Sequence, residues 1–167
     1  MNLHIRGIDI DDAGNFLNLC RMLDEETTFM MLEPEERTTS VDKQRDLIQA
    51  ALDTDNLTII VAEVDKMLVG YVSAYGGIYK RNHHSAYVVA GIVSEYAGQG
   101  ITTKLFGELD KWAIDQNIHR LELAVQVYNE KAYNLYKKAG FEVEGMKKDA
   151  LFIKGAYVDE YIMAKLI

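Results

Sequence analysis

Two short segments carry residue types that could bind and transform a phosphorylated substrate. The first, residues 93–105 (VSEYAGQGITTKL), places Gly98 and Gly100 between a strand pattern and a long amphipathic helix pattern. Glycines let the backbone approach an anion closely, and the free N–H groups and dipole of a helix N-terminus attract one. Thr102 and Thr103 add hydroxyl donors. The spacing predicts a phosphate or pyrophosphate site, and a plain strand-to-helix turn is the alternative.

The second segment, residues 129–141, joins a polar helix cap to two tyrosines. Asn129 is placed to cap a helix, and Tyr133 and Tyr136 follow on neighbouring parts of one helix face. A phenol has an ordinary pKa of about 10 and is protonated at neutral pH, so it can act as a general acid. Two core aromatics with solvated hydroxyl groups are the alternative interpretation.

The elements that would position these segments follow from hydrophobic periodicity. Alternating or β-branched runs predict strands, and apolar residues three and four positions apart predict helices. The predicted order is β-α-α-β-β-β-α-β-α-β-β, and Ser40 and Asn129 are placed to cap two of the helices. The predicted strands are residues 3–8, 57–64, 67–74, 87–93, 121–127, a run from 141 onward and 157–166, and the predicted helices lie at 13–23, 41–52, 98–117 and 129–140.

Turns and crossovers indicate how the strands pair. Asp65-Lys66 predicts a hairpin, and a second turn at 154–156 joins the last two strands. A strand, a crossover helix and another strand give a right-handed parallel pair. Gly91, inside the fourth strand, predicts either a bulge or a close backbone approach. We therefore expect a mixed α/β fold with helices on both faces of one sheet, in a single domain covering residues 1–167.

The composition argues against several classes of protein. Acidic residues number 26 and basic residues 18, a formal net charge of −8, which disfavours a nucleic-acid binder. The single cysteine, Cys20, cannot form an internal disulfide, suits a reducing compartment and is expected to be buried. No uncharged run approaches the ~18 residues of a membrane span, and the N-terminus has no long apolar region. We expect a soluble, cytoplasmic protein without a membrane partner.

Together the two segments resemble the GNAT superfamily of acetyl-CoA-dependent N-acetyltransferases. The family's turn, Gln/Arg-x-x-Gly-x-Gly/Ala, aligns with residues 97–102: Gly100 matches, whereas Ala97 and Thr102 replace the usual Gln or Arg and the last Gly or Ala. The Asn-x-x-Ala, Leu-Tyr and Gly-Phe parts of a second family pattern are matched by Asn129, Ala132, Leu135, Tyr136, Gly140 and Phe141. Near the end of the chain, Glu144-Gly145, Asp159 and Met163 resemble residues of the GNAT subgroup that acetylates amino acids, small amines or protein N-termini.

The resemblance implies a fold, a co-substrate and a set of site residues. It implies a mostly antiparallel sheet of about seven strands, acetyl-CoA as co-substrate, no metal, and acetyl transfer to a primary amine of a small molecule or a protein N-terminus. A backbone N–H in the region 91–93 would stabilise the oxyanion, and Tyr136 would protonate the leaving thiolate. The residues that would contact coenzyme A are Ile92, Val93, Gly98, Gln99, Gly100, Ile101, Thr102, Thr103, Asn129, Tyr133 and Tyr136.

No residue is assigned as the catalytic base. The family often places a Glu on the fourth strand, but residues 87–93 contain no carboxylate. An acidic segment, residues 24–40, could attract a cationic amine or could be a solvated loop. The side chains weighed for these roles are His83, His84, Glu25, Glu26 and Glu33.

Two alternatives to an active enzyme stay open. Ala97, Thr102 and the missing strand carboxylate are compatible with a regulatory module that binds coenzyme A without catalysis. A different phosphate-binding α/β domain could use the same glycine turn, although the chain has neither a nucleotide P-loop nor a full dinucleotide fingerprint. Met30, Met31 and the sheet edges leave room for a homodimer.

Overall fold

The computed structural model describes all 167 residues and contains one seven-stranded sheet with four α-helices. None of these helices has the length and apolar composition that crossing a bilayer requires. The element order agrees with the predicted one. The strands are β1 (Leu3–Gly7), β2 (Leu57–Val64), β3 (Met67–Gly76), β4 (Ser85–Ile92), β5 (Arg120–Gln126), β6 (Glu142–Ile153) and β7 (Ala156–Leu166), and the helices are α1 (Ala13–Glu26), α2 (Val41–Leu52), α3 (Ile101–Asp115) and α4 (Glu130–Lys138).

The sheet is mixed and mostly antiparallel, as expected. Its strand order is β1-β2-β3-β4-β5-β7-β6. All neighbouring strands pair antiparallel except β4 and β5, which are parallel and are joined by the crossover helix α3. The predicted two-residue turn at Asp65-Lys66 is also present, and both residues adopt the positive φ of a tight hairpin turn.

Each face of the sheet carries its own apolar core. On one face α3 packs over the centre of the sheet with α4 beside it, around Leu105, Phe106 and Leu121. On the other face α1 and α2 pack over β2 and β3, around Phe16, Ile48 and other buried residues. Cys20 belongs to this second core and is only 4% exposed, which confirms the prediction that it acts as a small buried hydrophobe.

Gly91 provides the space that α1 needs to approach β4. The pairing of β3 with β4 is continuous from Gly70–Ile92 to Gly76–Ala86, so the alternative of a bulge is wrong. A Cβ built on Gly91 would lie 2.7 Å from Cδ1 of Leu23, a fully packed residue of α1. The group that approaches Gly91 is the Leu23 side chain, so the prediction of a close backbone approach is wrong as well.

The crossover helix begins later than its apolar pattern predicts. Gly98 and Gly100 have φ angles of 76° and 79°, which are left-handed, and the helix begins only at Ile101 with Gly100 as its N-cap residue. The predicted start at residue 98 is wrong because both glycines belong to the turn. The helix also ends at Asp115, before Asn117, which has a φ of 58°.

We expect Gly91→Ala to lower the free energy of unfolding by about 1–3 kcal/mol, because the added methyl group overpacks the core against Leu23. Gly145→Ala is the matched strand control, since no atom lies within 4 Å of its Cβ position. That control should change stability by no more than about 0.5 kcal/mol. Urea denaturation measures the free energy of unfolding of both variants. Equal values would show that the Leu23 side chain of α1 does not pack closely against Gly91 of β4.

Candidate active site

β4 and β5 lie side by side only at their first residues. Their parallel pairing consists of Ser85–Arg120, Ala86–Leu121 and Tyr87–Glu122. Beyond that point β4 continues to Ile92 and β5 to Gln126 without pairing to each other. The two strands therefore diverge into an opening, the β4–β5 cleft, lined by residues 88–92 and 123–126. The glycine turn after β4 and Asn129 after β5 both lie at its wide end.

The β4 side of the cleft presents backbone groups that the sheet does not use. The Val93 N–H donates to the Val69 carbonyl at 2.8 Å. In an antiparallel pair the backbone N–H groups of successive residues point alternately toward and away from the partner strand. The Gly91 N–H therefore also points toward β3, whereas Ala90 and Ile92 direct their N–H groups toward β5. Among the three residues of the predicted oxyanion region, Ile92 alone offers its N–H to the cleft.

The β5 side presents a second set of backbone donors. The Val127 N–H donates to the Asp159 carbonyl at 3.1 Å, so the odd-numbered residues of β5 face β7. Ala124 and Gln126 consequently direct their N–H groups toward β4. Unpaired strand edges of this kind bind extended chains that carry amide groups.

The glycine turn leaves the N-terminus of α3 open. No side chain caps this 15-residue helix, and the Lys104 N–H donates to the Gly100 carbonyl at 3.2 Å in its first turn. The N–H groups of residues 101–103 are therefore free of intrahelical partners. A Cβ placed on Gly98 or Gly100 would meet no atom within 4 Å, so the space above the turn is open. Free amides, the helix dipole and open space together suit a phosphate group.

Tyr136 presents a protonated phenol from α4. Its ring packs on Phe106 at 5.6 Å and on Phe141 at 6.1 Å between ring centroids. Burial of the hydroxyl, followed by the proximity of Tyr87, raises the pKa of Tyr136 to about 12. The group is thus neutral throughout the physiological pH range and able to donate a proton.

Asn129 and Tyr133 hold α4 in place. The Asn129 side chain accepts a hydrogen bond from the Ala132 N–H at 3.3 Å, which confirms the predicted helix cap. The Tyr133 ring packs against Tyr161 of β7 with centroids 5.2 Å apart. Both residues are partly buried, so each can contact a ligand while keeping its structural role.

Tyr87 is a candidate site residue that the sequence analysis did not single out. It is the last residue of β4 that pairs with β5 and is 43% exposed. Burial and then the charge of Glu160 raise the pKa of Tyr87, the Ala124 backbone N–H lowers it, and Glu122 raises it further. Alternation with Val89 places Tyr87 on the face of the sheet that carries α1, whereas Tyr136 packs with Phe106 on the face that carries α3, so the two phenols approach the cleft from opposite sides.

A buried ion pair anchors the acidic segment that follows α1. The Asp24 side chain is fully buried and binds the Arg37 guanidinium through two hydrogen bonds, one of them between Oδ1 and Nη2 at 3.1 Å. These bonds raise the pKa of Arg37. The pair closes residues 25–36 into a loop whose two ends are fixed on α1.

Two further contacts join this segment to the cleft. The Gln126 side chain donates to the Thr28 carbonyl at 2.9 Å, and the Glu26 carboxylate accepts a hydrogen bond from the Ser94 N–H at 3.0 Å. Gln126 ends β5 and Ser94 follows β4, so the acidic segment lies across the wide end of the cleft. The segment that could attract a cationic amine therefore lies beside the cleft.

The other side chains weighed as bases lie elsewhere. His83 and His84 precede β4, and a strand of 8 residues separates them from the glycine turn by about 25 Å. Glu25 is exposed on α1, and the Glu33 backbone N–H donates to the Glu36 carboxylate at 2.9 Å in a short turn. No group of three or more His, Cys, Asp or Glu side chains is arranged to hold a metal ion.

The sequence and the fold both match one family. Residues 19–141 match the acetyltransferase (GNAT) family. The chain belongs to this family. It is accordingly an acetyltransferase, and the acetyl donor of the family is acetyl-CoA, as the resemblance of the two motifs implies.

Relatives and solved structures agree with the family. The chain is 32% identical over 118 residues to an L-amino acid N-acetyltransferase of Escherichia coli, covering 68% of this chain and 71% of the relative. It is 32% identical over 127 residues to a spermidine N(1)-acetyltransferase of Vibrio cholerae, covering 75% of this chain and 72% of that relative. A GNAT-family acetyltransferase structure from Streptococcus pneumoniae superposes with a TM-score of 0.96 at 28% identity, covering 99% and 100% of the two chains.

Asp24→Asn is expected to destabilise the protein by about 3 kcal/mol, because it leaves the Arg37 guanidinium without its buried partner. It should also make the segment around Arg37 a faster site of tryptic cleavage. The control is Asp42→Asn, which breaks an exposed pair with Arg45 and should cost less than about 0.5 kcal/mol. Denaturation and limited proteolysis test this, and similar behaviour of the two variants would contradict it.

Proposed function

We propose that the 167 residues act as one domain that transfers the acetyl group of acetyl-CoA to a primary amine, on a small molecule or a protein N-terminus. The observation that carries the proposal is the β4–β5 cleft. It combines unpaired strand edges along its length, free helix amides at its wide end and a protonated phenol at its narrow end. The functions named for the relatives favour this activity over a coenzyme A-binding module without catalysis.

The free amides of the turn and of α3 are the proposed pyrophosphate site. Backbone donors carry this binding, so it does not require the cationic side chain that Ala97 replaces. The amide-bearing arm of the coenzyme would pair with the β4 edge, where Ile92 has a free N–H. The proposed contacts are Ile92, Gly98, Gln99, Gly100, Ile101, Thr102, Thr103, Asn129, Tyr133 and Tyr136. Val93 is the weakest member of the predicted set, because its N–H and its carbonyl are both bonded within the protein.

The chemistry requires two protein donors. A neutral amine attacks the thioester carbonyl, and the oxyanion that forms is stabilised by a fixed N–H donor, which we assign to Ile92. The tetrahedral nitrogen releases one proton to water in the cleft as the thiolate leaves, the thiolate takes a proton that we assign to the Tyr136 hydroxyl, and the Tyr136 phenolate is reprotonated from that water. Tyr136 has the protonation state that this role requires, since its pKa is raised to about 12.

Other properties stay predictions from the sequence. These are a cytoplasmic location, a homodimer and the absence of a nucleic-acid partner. The acceptor class is developed below from side chains of the cleft.

Gly100→Ala is expected to weaken coenzyme A binding about tenfold, because alanine is strained at a φ of 79° and the turn must shift its amides to accommodate it. Gly107→Ala, in the exposed middle of α3, is the control: it should leave affinity unchanged and raise stability by about 0.5–1 kcal/mol. Calorimetric titration with coenzyme A measures both affinities. If Gly100→Ala binds as tightly as the wild type, the pyrophosphate does not sit on this turn.

Tyr136→Phe is expected to lower kcat about 100-fold while leaving the melting temperature nearly unchanged, because the variant keeps the ring and loses only the proton donor. Tyr133→Phe removes the neighbouring hydroxyl and should retain most of the activity. In the wild type, ionisation of Tyr136 should cause no loss of rate below about pH 11, since its pKa is raised to about 12. Steady-state assays of thiol release test both points, and equal rates for the two variants would reject the acid role of Tyr136.

A further inference from the structure

Glu160 of β7 is a buried carboxylate without a partner in the protein. The residue is 9% exposed, and its side chain takes part in none of the hydrogen bonds or ion pairs of the structure. The fully enclosed side-chain atoms that lack a partner are Ser73 Oγ and Asp110 Oδ1 alone. The Glu160 oxygens are therefore not sealed in the core, and the carboxylate opens onto a space that a ligand or solvent can enter.

The position of Glu160 in the sheet directs it to the cleft. Glu160 pairs with Gln126, the last residue of β5, so it flanks the β5 edge of the cleft. Alternation along the strands places Glu160 on the same face as Tyr87, the face on which α1 lies. The charge of Glu160 raises the pKa of Tyr87 more than any other side chain does. The carboxylate and the phenol therefore lie on one face of the cleft, Glu160 beside the end of β5 and Tyr87 at the narrow end, and an amine bound between them can contact both.

No cation of the protein neutralises Glu160. Lys147 stands opposite it on β6, but its ammonium group makes no ion pair with the carboxylate. Arg120 of β5 is paired with Glu122 at 2.9 Å and with Glu144 at 2.6 Å. Arg37 is held by Asp24. A carboxylate that has no cation of the protein beside it and opens onto the cleft is suited to a cationic ligand.

We infer that Glu160 and Tyr87 receive the ammonium group of the acceptor, and that the acceptor is an aliphatic amine with no carboxylate beside its amino group. The inference rests on the proposed function and specifies its acceptor. Glu160 attracts the ammonium group and fixes its position, and the Tyr87 hydroxyl accepts a hydrogen bond from one of its N–H groups. The bound ammonium group releases one proton to water in the cleft, and the neutral amine then attacks the thioester. A carboxylate on the same substrate would be repelled by Glu160, and the arginines nearby are already paired.

Alanine and alaninamide form the matched pair of substrates, because they differ in the group beside the amine and therefore in charge. In the wild type we expect kcat/KM for alaninamide to exceed kcat/KM for alanine about tenfold or more. We expect kcat/KM for spermidine to exceed that for alanine by a similar factor. In Glu160→Gln the KM for alaninamide should rise about tenfold, and the alaninamide-to-alanine ratio should fall toward one. Alaninamide and alanine have amino groups of different pKa, but that difference is the same whether the wild type or Glu160→Gln is assayed. The change in the alaninamide-to-alanine ratio of kcat/KM between the two proteins is therefore the quantity that tests Glu160.

Two controls separate a binding role from a structural one. Glu160→Gln should raise the melting temperature, because it removes a buried unpaired charge, whereas a residue that merely supports the fold would lower it. Lys147→Gln removes the charge on the opposite strand and should leave the substrate ratio unchanged. Calorimetric titration should show wild-type affinity of Glu160→Gln for acetyl-CoA.

The outcomes distinguish this inference from the function on which it rests. A wild type that binds acetyl-CoA but acetylates alanine as well as it acetylates alaninamide and spermidine overturns the acceptor assignment and leaves the transferase standing. An unchanged alaninamide-to-alanine ratio in Glu160→Gln overturns the role of Glu160 and also leaves the transferase standing. A wild type that does not bind acetyl-CoA overturns both.

Discussion

The separation of β4 from β5 after three residue pairs is the constraint on which the site depends. A parallel pair requires a crossover, and a right-handed crossover returns through α3, so the N-terminus of that helix lies at the carboxyl end of β4. The separation also leaves backbone groups of Ala90, Ile92, Ala124 and Gln126 facing an opening instead of each other. Such groups rarely stay unpaired, so the opening must be filled by water or by a ligand with amides of its own. The strand edges and the anion-binding turn are thus two results of one topology.

Charge is divided along the cleft in a way that the net charge of −8 does not reveal. At the wide end, backbone amides and a helix dipole can hold an anion without a cationic side chain, and Ala97 stands where the family usually has Gln or Arg. Beside the end of β5, Glu160 lies unpaired on the same face as Tyr87. The acidic segment spans the wide end through Glu26 and Gln126, so an acidic chain can bind a diphosphate and a cation at adjacent places.

Local patterns in the sequence predict local features of the structure. Ser40 and Asn129 cap their helices, and the glycine turn precedes α3 as the motif indicates. The predicted succession of helices and strands along the chain is also confirmed. Periodicity cannot show which distant side chains share a face. Tyr87 and Glu160 are far apart in the chain and come to one face of the cleft only through the order β4-β5-β7, in which the last strand inserts beside β5. Gly91 illustrates the same limit, because its pattern indicates a close backbone approach, whereas the group that approaches is the Leu23 side chain.

Glu160, beside the last residue of β5, and Tyr87, at the narrow end, lie on the same face of the cleft. Glu160 raises the pKa of Tyr87, and Tyr87 raises that of Tyr136, so both hydroxyls are protonated when the acceptor arrives. An ammonium group bound by Glu160 would offset the carboxylate's charge at Tyr87 and make that phenol a somewhat stronger acid. A carboxylate that has no partner in the empty protein gains one when the ammonium group binds, which is a physical reason to retain it.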